Sequence, residues 1–128
     1  MKMAISKKTR EIVYQKYDCK CAYCGTELNE MKDMQVDHII AKQRLSDHHL
    51  LLGKSIDDLS NLNPACRSCN KFKDTFSIEM FREQIQGQIN KFRKYHPTFN
   101  LAERFGLFTC NEEIEVKFYF ENIHEDNL

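Results

Sequence analysis

The apolar positions of this chain fall into short patterns separated by polar stretches. Behind Ser6, a plausible N-cap, Ile12, Val13 and Tyr17 form one stripe of a helix predicted over 7–17, with Lys7, Lys8, Arg10 and Lys16 on its wet side. A short strand is predicted at Met34–Ile39, and Asn61–Pro64 reads as a brief extended segment stopped by Pro64. Between them, residues 41–60 mix His48, His49, Gly53, Asp57 and Asp58 without a period, as in a long connection holding about one helical turn.

Residues 65–74 can run as a helix with two chemically distinct sides. Cys66, Cys69 and Lys73 fall on one side; Arg67, Asn70, Lys71 and Asp74 fall on the other. Ser77 then caps a longer predicted helix whose core stripe is Ile78, Phe81, Ile85, Ile89 and Phe92, ending near His96–Pro97. Another helical turn or two is expected within Asn100–Phe108. The alternation of Ile114, Val116, Phe118 and Phe120 with Glu113, Glu115, Lys117 and Tyr119 predicts a half-buried strand.

With 128 residues, 41% apolar and 30% charged, and only 4 Gly and 2 Pro, the chain is long enough for one compact domain and too ordered in composition for low-complexity disorder. Two parts are expected, a core over 1–76 and an extension over 77–128 packed on it. The longest apolar runs are as short as Leu50–Leu52, and lysines at positions 2, 7 and 8 stand where an export signal would be apolar, so a cytoplasmic protein without a membrane span is expected. Nineteen basic and nineteen acidic residues cancel, yet residues 1–73 carry a net +4 and residues 74–128 a net −4. The basic half can meet phosphate, although charge alone favours a solvated helix face.

Six cysteines change the picture more than charge does. Cys21-x2-Cys24 and Cys66-x2-Cys69 each allow both sulfurs to face one tetrahedral ion, with Gly25 closing the first pair as a tight knuckle. Four soft thiolates suit Zn²⁺ and leave it no open position, which predicts a structural site. Two disulfides are disfavoured by the expected compartment. Cys19 could stand in for Cys21, at a less symmetric spacing, and Cys110 reads as an ordinary thiol.

Between the cysteine pairs lies Val36-Asp37-His38-Ile39-Ile40, followed by Ser60-Asn61-Leu62-Asn63-Pro64-Ala65-Cys66-Arg67-Ser68-Cys69-Asn70-Lys71-Phe72-Lys73. In this order, over about residues 5–76, the sequence resembles the HNH nuclease family. The resemblance implies an α+β protein built on a ββα-metal core. Its two-stranded ribbon bears Asp37, His38 and Asn61, its helix bears Asn70, and an N-terminal helix and a C-terminal helix and strand extension flank it. Taken singly, an Asp-His pair, a turn asparagine and a helix-surface amide would each have duller explanations.

The resemblance also implies the chemistry of a DNA endonuclease. His38 is expected to deprotonate water, since a histidine's ordinary pKa near 6.5 leaves neutral imidazole at cellular pH. Asp37 and Asn70 are implied as oxygen ligands of one hard divalent ion, Mg²⁺ or Mn²⁺, and Asn61 as the residue that braces the loop beside the base. Many relatives carry His where Asn70 stands, and an amide oxygen shifts preference toward hard ions. Because Asp37 and His38 are consecutive, both can serve one phosphate only if the strand twists or breaks there. Arg67, Lys71 and Lys73 are expected at nucleic acid, Lys73 least because it shares the zinc flank, and Lys42, Arg44, His48, His49 and Lys54 of the long connection are further candidates. Two rivals are a noncatalytic zinc-braced binding module and a nuclease subunit that takes its target from a protein partner. A homodimer, with Ile78–Phe92 as its face, would serve double-strand cleavage, although an intramolecular core is the favoured use of that stripe.

Overall fold

The computed structural model describes residues 5–126. Residues 1–4, part of the start read above against an export signal, and residues 127–128 lie outside the described range. Helix α1, Lys7–Gln15, begins where the Ser6 hydroxyl accepts the Thr9 amide, as predicted, and ends about two residues earlier than expected. Strands β1, Gln35–His38, and β2, Leu62–Ala65, pair antiparallel with Asp37 opposite Asn63 and His38 opposite Leu62. Helix α2, Arg67–Lys73, follows directly, capped by Cys66, whose sulfur accepts the Cys69 amide. The ββα unit is thus β1, β2 and α2, and the connection between the strands holds two short 3₁₀ segments, Leu45–Leu51 and Leu59–Asn61.

Two apolar clusters fix this unit. Val13 of α1 packs with Leu28, Met34 and Leu62 on one side of the ribbon. Lys16 ties α1 to β2, its ammonium donating to the Leu62 carbonyl at 2.9 Å and to Asn63 Oδ1 at 3.2 Å. On the other side Cys21, Tyr23, Ala65, Phe81 and Phe118 form a second cluster, in which the Tyr23 ring meets Phe81 and Phe118 edge-on with centroids 5.4 Å apart. This geometry suits the ring quadrupoles.

The C-terminal half differs from expectation in two places. The predicted helix from Ser77 breaks at Gly87 into α3, Ile78–Gln86, and α4, Gln88–Tyr95, so the stripe is split: Phe81 is buried in the core while Phe92 stacks on Phe99 of helix α5, Pro97–Arg104. No strand forms at 114–120. Val116 and Phe118 do point inward, but the backbone partner is a side chain: the Gln86 amide donates to the Ile114 carbonyl at 2.9 Å and accepts the Val116 amide at 2.8 Å. Tyr119 and Phe120 instead open helix α6, Tyr119–Asp126, donating their amides to the carbonyls of Tyr23 and Ala22. The extension therefore docks on the cysteine knuckle. No helix among the described residues is long and apolar enough to cross a membrane.

Candidate active site and metal centre

The first cysteine pair is positioned by a small hairpin. Cys21 donates its amide to Thr26 O, Leu28 donates to Cys19 O, and Gly25 turns the chain at φ +75° while donating to Cys21 O. A side chain at Gly25 would be strained by that φ and would also meet the Tyr119 ring at 3.0 Å. The second pair sits on the first turn of α2. The sulfurs of Cys21, Cys24, Cys66 and Cys69 all lie within 4.8 Å of one another, and Cys24 Sγ is 3.8 Å from Cys66 Sγ. A tetrahedron with Zn–S bonds of about 2.3 Å has sulfur–sulfur edges of about 3.8 Å, so the donor set fits a structural Zn²⁺ in size and softness. Cys19 and Cys110 lie outside this group, and none of the cysteines is in a disulfide.

Crowding polarises the four thiols. The Cys69 thiol hydrogen-bonds Cys21 and, helped by backbone amides, brings the Cys21 pKa down to about 4, against the opposing effect of burial. Burial first, then the Cys21 charge, pushes Cys24 up to about 11, and the bond to Cys21 raises Cys69. A dication held by the four sulfurs would remove this conflict by stabilising every thiolate.

A second, polar cleft of about 230 Å³ opens across the end of β1 and the end of α2. Asp37, His38 and Asn70 line it together with Lys42 and Asp74. The strand stops at His38, which resolves the alternation problem: Asp37 points inward and is 4% exposed, His38 sits at the strand end, and both still border one cleft. The Asn70 amide engages no side-chain partner among the described residues. Asn61 does not border the cleft. It is 3% exposed, its Oδ1 accepts the Ile40 amide at 2.9 Å, and its Nδ2 donates to the carbonyls of Ile40 and Ile56 at 3.1 and 2.9 Å. One amide thereby clamps both ends of the long connection.

Lys73 corrects an expectation. Placed among the nucleic-acid contacts by sequence, it is 0% exposed, because its turn of α2 faces the ribbon. Its ammonium donates to Asp37 at 3.1 and 3.3 Å and to the carbonyls of His38 and Ile39 at 3.0 and 3.3 Å. Asp37 Oδ2 also accepts the Tyr23 hydroxyl. Burial raises the Asp37 pKa, and the Lys73 charge opposes that rise. Arg67 and Lys71 are exposed on α2, and Lys42 is exposed at the cleft. Arg44 is paired with Asp47 at 2.9 Å, while His48 and His49 bond carbonyls inside the connection.

Sequence reasoning passed over two residues here. Asp57 lies 2.7 Å from His38 Nε2, brought there by a turn at the end of the connection. Asp74 borders the cleft at φ +49°, ψ −118°, a backbone state costly for a residue with a side chain. The spacing of Asn70 and Asp74, one helical turn, is the sequence signal that could have found the latter.

Comparison with known proteins agrees with this geometry. The HNH endonuclease family model matches residues 21–76. The SPbeta prophage-derived putative HNH endonuclease YoqL of Bacillus subtilis (strain 168) is 33% identical over 63 residues, which are 49% of this chain and 26% of that relative. The chain thus spans about a quarter of the length of the relative it matches. No solved structure matches the chain at a significant level. The four-cysteine cluster, the ribbon ending in Asp37–His38 and the helix bearing Asn70 all occupy the segment, residues 21–76, that matches the HNH endonuclease family.

Proposed function

We propose that the chain is a metal-dependent DNA endonuclease in which His38 activates water against a phosphodiester. The observation that carries this reading is the convergence of Asp37, His38 and the unpartnered Asn70 amide on one open polar cleft. The donors there are hard oxygens, the set that suits Mg²⁺ or Mn²⁺ and not the thiol-bound ion. Asp37 and Asn70 are the residues that would hold a divalent cation, which would supply neutralisation of the charge that builds up in phosphodiester hydrolysis.

The protein groups have separable tasks. His38 takes a proton from water as the water oxygen bonds phosphorus. The bond from phosphorus to the 3′ oxygen breaks, and that oxygen is protonated from solvent, leaving 5′-phosphate and 3′-hydroxyl ends. Asn61 holds the backbone after His38, so the imidazole is presented from a fixed platform. Lys73 keeps Asp37 in place and cancels much of its charge, so Asp37 would hold a cation only weakly. Lys42, exposed at the cleft, and Arg67 and Lys71, exposed on α2, would meet flanking phosphates.

Zero net charge and the acidic C-terminal half favour a protein partner, or a second copy, for target recognition and for cutting both strands. The test is incubation of the purified protein with supercoiled plasmid and single-stranded DNA in Mg²⁺, Mn²⁺ or chelator, with the ends mapped. Cleavage that needs an added divalent ion and leaves 5′-phosphates is expected. DNA retained on the protein but never cut in any divalent ion would instead identify a binding module.

A further inference from the structure

The connection between the strands returns to the site it left. Asn61 bonds Ile40, two residues after His38, and Ile56, one residue before Asp57, so the two ends of an otherwise irregular segment are pinned side by side. At that point the Asp57 carboxylate reaches His38 Nε2 at 2.7 Å, across nineteen residues of sequence. The Asp57 backbone is set locally, its amide donating to the Ser55 hydroxyl at 3.1 Å. The imidazole is largely covered, with 17% of the side chain exposed, whereas 43% of the Asp57 side chain remains exposed.

We propose that Asp57 is the positioning residue of His38, fixing the ring orientation and tautomer so that Nδ1 is the atom that accepts the proton from water. This rests on the nuclease reading for its consequence, but not for the contact itself. An ionised carboxylate can only accept, so the 2.7 Å bond requires the proton on Nε2 and leaves the Nδ1 lone pair free in the neutral ring. A base held by one carboxylate loses fewer orientations than a ring on a bare strand end, and the gain falls on the chemical step and not on DNA binding. The long connection then has a task beyond any contact with DNA: it delivers this carboxylate.

The experiment compares wild type with Asp57→Ala, Asp57→Asn and Asp57→Glu. In cleavage, Asp57→Ala should lower kcat roughly 10- to 100-fold with KM within about twofold. Asp57→Asn keeps the shape but its amide can donate to Nε2 and favour the wrong tautomer, so it should fall with Ala, while Asp57→Glu recovers part of the rate. A purely structural loop contact would leave Asn as active as wild type. Independently of cleavage, ring ¹⁵N-resolved NMR should show a slowly exchanging, downfield Nε2–H proton of His38 in the wild type and its loss in Asp57→Ala. An unchanged ring spectrum in Asp57→Ala, or wild-type kcat in both Ala and Asn variants, would overturn the proposal. A wild type that cuts nothing would count against the nuclease reading alone, with the NMR still deciding the contact.

Discussion

A lysine ammonium with no exposure to water stays charged only where oxygens surround it, and Lys73 has Asp37 and two backbone carbonyls within 3.3 Å. No buried side-chain nitrogen or oxygen among the described residues lacks a hydrogen-bond partner, so this interior network is complete. Breaking it from one side strands a buried carboxylate. Lys73→Met should therefore destabilise the fold by about 3–5 kcal/mol in urea unfolding. An unchanged midpoint with weakened DNA binding would return Lys73 to the phosphate contacts. The candidate site residues were legible because their spacing is set locally: Asp37 and His38 are adjacent, and Cys66, Cys69 and Asn70 share one short helix and its cap. The partners of His38 and Asp37 were not legible, since Asp57 and Lys73 reach them through tertiary folding across nineteen and thirty-six residues.

At the scale of elements, the extension is held by a hub at Arg82 of α3. Its guanidinium grips Glu121 of α6 through two 2.8 Å bonds, donates to the Val116 carbonyl and lies 5.0 Å from the Phe118 ring centroid. Hydrogen bonding to Arg82 holds the Glu121 pKa below its usual value, with burial opposing. A depressed carboxyl stabilises the fold above its unfolded pKa and loses that contribution as pH falls through the folded one. Glu121→Gln should then cost about 1–2 kcal/mol at neutral pH, with the difference from wild type shrinking below about pH 4. A difference that stayed constant down to pH 3 would show that the charge is not what matters. The same region explains the misplaced strand. The alternation at 113–120 correctly marks inward Val116 and Phe118, but Gln86 and Arg82 satisfy the backbone that a neighbouring strand would have paired. Periodicity reports which side is buried, not which group supplies the hydrogen bonds. Gly87, where the long helix breaks, lies inside an apolar stripe that runs on past it, so the periodicity alone does not reveal the break.

For the molecule as a whole, the cysteine cluster joins the parts. It ties the Cys21–Cys24 hairpin to α2, Cys21 lies in the same apolar cluster as Phe81 and Phe118, and α6 caps the knuckle through Tyr119 and Phe120. Stripping the metal should release four crowded thiols and, with them, the platform under β1 and α2. We expect one zinc per chain by native mass spectrometry and loss of the cooperative thermal transition on chelation. An apo protein melting like the untreated one would show that the apolar clusters suffice. In the nuclease proposed above, a ribbon and helix braced by four cysteines present His38 to a phosphodiester. The most direct test of this role is cleavage of supercoiled plasmid by wild type and His38→Ala, both with matched zinc content and thermal transitions, in the same divalent ion. Nicking by the wild type and a loss of at least about 100-fold in the variant are expected. Equal cutting by both proteins would contradict that role.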